Sequence, residues 1–285
     1  MGLLLLAMQV GQIGLEHIPP VTMAVLGICT AVHLQLLPAF QSILSNGAGT
    51  VCMSYPHIMA TLTAGASGHK LVGFHAIYRI FTAPLTHLSD MHLYYNMASW
   101  LAKARWFEQH YGSTFMGIWL FLSMIGTTVC YVLLCFVLQI AGSLTSSFDA
   151  LFNLDIGACC IGLSAVIFCL KTVLHREDDS RHSVFFGAFT TQAKYAVWFE
   201  LLFIQFFSYG HVSFIGHLAG ILCGVAFNFI QINDFVRLAA VKINNAVAGV
   251  ADVANSNSSP AAGSPNHGGG GNSRFHQREY NTTGS

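Results

Sequence analysis

Three short clusters in this chain carry side chains able to do acyl-transfer chemistry, each within an apolar run. Gly162-Leu163-Ser164-Ala165 offers a hydroxyl nucleophile, and Gly216-His217-Leu218-Ala219-Gly220 offers a base. His92-Leu93-Tyr94-Tyr95-Asn96 offers two hydrogen-bond donors four residues apart, hence on one helical face. A serine hydroxyl is a weak nucleophile until an imidazole takes its proton, and the intermediate needs donors aimed at its negative oxygen. Each cluster also has a plain packing reading. Serine in a membrane helix satisfies itself on the i−4 carbonyl, and lone His or Asn side chains bridge helices. Taken together, a Ser, a His and two donors from three segments are the minimum set for acyl transfer. No Asp or Glu accompanies them to complete a triad, so the pattern is a Ser–His dyad. The G-x-S-x-G elbow of lipases is not met, because Val166 stands at its final glycine. Gly216, Gly220 and Gly224 recur every four residues, a spacing that lets a neighbouring helix approach closely.

These clusters need a membrane bundle to position them. Of 285 residues, 54% are hydrophobic and 8% charged, whereas a soluble domain is about a quarter charged. Apolar runs close to the ~20 residues that cross a bilayer occupy residues 21–40, 115–140, 156–174, 193–207 and 213–232, with a weaker one at 91–101. Six spans with a cytosolic N-terminus leave only Lys70 and Arg79, of 12 Lys and Arg, on the far side. That ten-to-two split follows the positive-inside rule and supports cytosolic N- and C-termini. Residues 2–10 are apolar but lack a basic flank and a cleavage site, and read as a short interfacial lead-in. Segment 41–90 is a long far-side loop, 175–191 a charged cytosolic loop, and 209–212 a turn short enough to make the last two spans antiparallel neighbours. The division is therefore a membrane domain over 1–232, an interfacial helix over 233–254, and a low-complexity, disordered cytosolic tail over 255–285. The 8 cysteines have no paired spacing and read as small core hydrophobes, without a disulfide framework.

Over roughly residues 19–229 the chain resembles the rhomboid family. The resemblance rests on H-x-x-x-N at His92 and Asn96, then Glu108 with Tyr111-Gly112-Ser113, G-x-S at Ser164, and G-H-x-x-G-x-x-x-G at His217, in family order. It implies an all-α membrane protein with a six-helix bundle, Ser164 and His217 as catalytic residues, and His92, Asn96 and the Leu163 backbone on the oxyanion side. HLYYNMASW, the IPPVT run from Ile18 and GHLAGIL look like the endoplasmic-reticulum rhomboid subfamily, which implies a long luminal loop and a cytosolic tail. Two departures are Ala165, where many family members have glycine, and Tyr78-Arg79 in place of the first loop's Trp-Arg pair.

The implied function is a serine endopeptidase that cleaves single-span membrane proteins, without metal or cofactor. Its expected partners are transmembrane substrates and the lipid bilayer, with no nucleic acid. The rival within the family is a catalytically inactive, derlin-like protein that binds membrane clients in quality control. Retention of both Ser164 and His217 argues against that rival. A zinc protease, suggested by 14 His, lacks H-E-x-x-H or equivalent ligand spacing. A transporter would need paired helix breaks around its few span residues that ionise, His33, His92, Glu200 and His217, and none is evident.

Overall fold

The computed structural model describes residues 1–38, 40, 51–66, 70–142, 157–177, 182–185, 189–207 and 213–258. In chain order these form α1 (Gly2–Ile13), α2 (Pro20–His33), α3 (Tyr55–Ala66), α4 (Lys70–Leu85), α5 (Asp90–Tyr111), α6 (Ser113–Gly142), α7 (Ser164–Glu177), β1 (His182–Phe185), β2 (Phe189–Gln192), α8 (Ala193–Phe207), α9 (Phe214–Phe229) and α10 (Ile232–Ser258). Two compact units divide the chain, Met1–Asn244 and Asn245–Ser285.

Helix α5 shows how the sequence builds the bundle. Leu93, Met97, Trp100, Ala104 and Phe107 recur at helical spacing and are all fully buried, the single apolar stripe expected of a helix packed on one side. Phe107 meets Trp119 of α6 edge-on, with ring centroids 5.2 Å apart. Helix α7 is different, because Val166 to Val173 are buried on every face, Lys171 and Thr172 included. It is the central helix, in contact with α5, α6, α8 and α9, and Lys171 closes an ion pair to Glu200 of α8. Lys171 therefore lies inside the bundle rather than among the loop charges.

Glu108 explains how α2 is seated. Pro20 opens α2 in the first turn, where its missing N–H costs nothing. Its remaining free donors turn to the buried Glu108 carboxylate: Val21 N donates at 2.9 Å, Thr22 N at 2.7 Å and the Thr22 hydroxyl at 2.8 Å. Each buried donor left unpaired costs about 1–3 kcal/mol. Glu108→Ala is therefore expected to lower the thermal midpoint strongly while the protein that remains folded keeps its turnover. A normal midpoint in detergent would contradict this.

Several expectations are corrected. The bundle is all-helical as expected, and the expected cytosolic loop adds one short hairpin, in which β1 and β2 pair antiparallel, His182 opposite Gln192 and Phe185 opposite Phe189. The first long loop contains α3 and α4. Residues 157–163 are not helical and α7 starts only at Ser164. Gly162 has φ +98°, a conformation that breaks a helix and suits glycine. The exposed backbone of this segment is satisfied instead by Met53, which exchanges both bonds with Cys160, and by the Ala83 carbonyl, which accepts from Gly162 N at 2.9 Å. Beside it Cys52 and Cys159 form a disulfide. Both lie in connections rather than helices, Cys52 buried and Cys159 exposed, so neither packs as a small side chain within a helix.

Residues 2–10, expected as a short interfacial lead-in, belong to helix α1, which packs along α5. Met1 N lies 3.2 Å from Asp90 Oδ2 at one end of α5, and Gln109 Nε2 donates to the His17 carbonyl at the other end. Residues 1–17 thus run the length of α5, and a Cβ on Gly2 would sit 2.1 Å from the Asp90 carbonyl oxygen. No Lys or Arg precedes Lys70, so the side of Met1 follows from the span count rather than from charges beside it. Among the described residues, Ser113–Ala141 is the one helix that alone is long and apolar enough to cross a membrane. Helices α2, α7, α8 and α9, of 14 to 16 residues, are shorter than the ~20 of a full span. Helix α10 runs past the expected end at 254, and its first turns pack on the bundle through Val236 and Ala240. Residues 259–285, most of the expected tail, lie outside the described residues, as do most of 141–155 and all of 209–212.

Candidate active site

Ser164 is the first residue of α7 and His217 lies in the first turn of α9. Their side chains meet, His217 Nε2 to Ser164 Oγ, at 2.9 Å. Two features of the sequence bring them together. Gly220 and Gly224 let α9 lie directly on α7: a Cβ on Gly220 would be 2.2 Å from the Ala165 carbonyl oxygen, and one on Gly224 would be 2.6 Å from Thr172 Cβ. Ser213 caps α9, its hydroxyl accepting from Gly216 N at 3.1 Å, and Cys160 Sγ donates to the same hydroxyl at 2.8 Å. The cap thus ties the start of α9 to the segment that leads into Ser164.

With Nε2 facing the serine hydroxyl, the imidazole is placed to accept its proton. No carboxylate bonds to His217 among the described residues, so other contacts orient the ring. Phe168, one helical turn beyond Ser164, lies against it with ring centroids 4.8 Å apart. Its i+4 spacing from Ser164 was a signal the sequence reading did not use.

Ser164 and His217 open on a pocket of about 70 Å³ whose walls include His92, Cys160, Gly162, Ala165, Ser213 and Gly216. At the start of α7, free backbone N–H groups and the positive end of the helix dipole face any negative charge that forms there. Gly162 is doubly required: besides its positive φ, a Cβ would stand 2.7 Å from His92 Nε2. His92 therefore sits directly against the approach to Ser164. Asn96 does not line the pocket. Its amide donates to the His92 carbonyl of its own helix at 2.9 Å, and its Oδ1 is buried with no partner among the described residues. The Leu163 side chain is fully buried beneath the site.

The arrangement separates two effects. His92→Ala is expected to slow cleavage by about 10²–10³, the usual cost of one oxyanion donor. Asn96→Ala, whose amide is spent on its own helix, is expected to cost stability more than rate. Turnover per folded molecule, with folding followed by thermal melting, separates them. Equal rate losses for the two at unchanged stability would contradict this ordering.

The sequence matches the Rhomboid domain over residues 75–234, which include Ser164, His217, His92 and Asn96. The chain belongs to the rhomboid family. It is 33% identical over 227 residues to Rhomboid-related protein 4 of Mus musculus, covering 79% of this chain and 62% of that protein. Rhomboid-related protein 4 of Homo sapiens is 32% identical over 228 residues, with the same coverage, 79% and 62%. Rhomboid-like protein 14, mitochondrial, of Arabidopsis thaliana is 32% identical over 212 residues, 73% of this chain and 55% of that one. The chain thus spans less than two thirds of the length of these relatives. Family membership, with the apolar composition and α6, makes it an integral membrane protein of rhomboid type.

Proposed function

We propose that this chain is an intramembrane serine endopeptidase that cleaves single-span membrane proteins through Ser164 and His217. The observation that carries the reading is the 2.9 Å contact between Ser164 Oγ and His217 Nε2 inside a helical bundle. In the proposed reaction His217 Nε2 takes the hydroxyl proton as Oγ attacks the scissile carbonyl, while His92 and the N–H groups at the start of α7 hold the oxyanion. The proton then passes from His217 to the departing amine, and water, activated by the same imidazole, releases the acyl enzyme. A peptide bond inside an intact helix is shielded, so the client segment unwinds before attack, and backbone freed this way is tolerable only in a cavity walled by protein. Reporter cleavage tests the reading: a type I membrane protein should be cut by the wild type and left intact by Ser164→Ala. Equal processing by both would remove the proposal.

The six spans are proposed to be α2, α5, α6, α7, α8 and α9, with Ser164 toward the lumen of the endoplasmic reticulum and α10 entering the cytosol. A disulfide persists in an oxidising compartment, and the Cys52–Cys159 bridge lies at the Ser164 end. It supports the same orientation as the charge split. Met1, paired with Asp90 at that end, then faces the lumen also, and α1 is an additional membrane-embedded helix. The sequons at Asn257 and Asn281 in the tail are expected to remain unglycosylated, because glycan transfer is luminal. Sequons engineered into residues 41–50 or appended before Met1 are expected to be glycosylated. An endoglycosidase gel shift reads all of them, and a glycosylated tail would invert the topology.

A further inference from the structure

His33, the last residue of α2, stands outside the chemistry above yet is fastened to its oxyanion side. Its ring bridges the two ends of the turn that leads into α5: Nδ1 lies 3.1 Å from the His87 carbonyl oxygen and Nε2 lies 2.9 Å from Asp90 Oδ1. Both ring nitrogens face acceptors, one a backbone carbonyl and the other a carboxylate. Within the turn, the His87 ring is buried, 5% exposed. Burial pushes its pKa down to about 3 and keeps it neutral. The His87 ring meets the His92 ring edge-on at 5.1 Å, and His92 in turn faces Gly162. Ser89, between the two residues His33 holds, caps α5 by accepting from His92 N at 3.2 Å.

We propose that His33 is a positioning residue, which by clamping Asp90 and the His87 carbonyl fixes the turn that sets His92 against the start of α7. The proposal rests on the reading of Ser164, His217 and His92 as the reacting site. The Met1 amino group, the other partner of Asp90, is highly exposed and reaches the opposite carboxylate oxygen, Oδ2. The groups that face the clamp and could titrate are Asp90, the Met1 amino group, His87 and His92.

The test uses His33→Phe, which keeps an aromatic ring but no donor, His33→Gln, whose amide retains two N–H groups, Asp90→Asn, and the His33→Phe/Asp90→Asn pair. In detergent-solubilised full chain, kcat for the reporter is expected to fall about 10-fold or more in His33→Phe, since a displacement of about 1 Å can cost 10²-fold. KM should change little, and His33→Gln should recover much of the loss. The double variant should be no slower than the worse single one, the signature of residues acting through one contact. Diethyl pyrocarbonate modification of His92, followed by mass spectrometry, gives a readout that does not depend on cleavage. His92 should react several-fold faster in His33→Phe and Asp90→Asn than in wild type. Unchanged His92 reactivity in a folded His33→Phe variant, or a loss confined to KM, overturns the proposal. If wild type fails to cut the reporter while His92 reactivity responds as expected, the protease reading fails and the clamp stands.

Discussion

Ser164→Ala and His217→Ala are each expected to abolish cleavage, and the double variant to be scarcely slower than either. In a soluble serine protease, loss of the nucleophile or of the base alone costs about 10⁶ in rate, nearly as much as losing the whole assembly, because neither group acts without the other. Here the two groups are 2.9 Å apart and no carboxylate is bonded to the imidazole among the described residues, so there is no third member to carry residual activity. Single-turnover assays of the three variants in liposomes measure this. A single variant retaining substantial turnover, or losses that multiply in the double, would mean that Ser164 and His217 do not form one unit.

Gly220→Val is expected to remove nearly all activity although residue 220 touches no substrate. Even the first added carbon would lie 2.2 Å from the backbone oxygen of Ala165 and 3.0 Å from its Cα. Backbone cannot swing aside like a long side chain, so α9 must move away from α7, taking His217 from Ser164. Catalytic geometry is sensitive to displacements near 1 Å, at about 10² in rate, and overpacking a tight contact costs about 1–3 kcal/mol in stability. Gly216→Ala is the internal control, since its nearest contacts would be Ser213 Oγ at 3.3 Å and Cys160 Sγ at 3.4 Å, side-chain atoms with room to shift. Turnover and thermal midpoint should fall together in Gly220→Val and much less in Gly216→Ala. An active Gly220→Val variant would show that close helix approach does not hold the dyad.

The legible part of this site was the part whose cost is local. Ser164 and His217 stood out because polar groups in apolar runs are expensive, and the glycines near His217 because a four-residue repeat on one helix face has a direct steric meaning. Both signals led to residues that do meet. The donor pair was legible only in part: helical spacing put Asn96 beneath His92, but it could not tell that the Asn96 amide turns back to its own helix. Contacts between distant segments carried no sequence signal. Cys52 and Cys159 are 107 residues apart, and burial habits of cysteine in apolar runs said nothing about two that fall in the connections. The lengthwise packing of α1 on α5 carried no electrostatic signal, because the charge rule reads Lys and Arg and the first 69 residues contain none. The start of α7 at Ser164 was hidden by an apolar run that continues upstream, since hydropathy does not distinguish helix from the irregular segment 157–163 that leads into the pocket.

The central claim is that the His217 imidazole activates the Ser164 hydroxyl. Labelling of the purified full chain with a fluorophosphonate, followed by peptide mass spectrometry, tests it without a substrate. The account predicts a phosphonyl adduct on Ser164 in the wild type and none at that residue in a folded His217→Ala variant. An adduct at another serine with Ser164 unmodified, or Ser164 labelled at the same rate without His217, would contradict it.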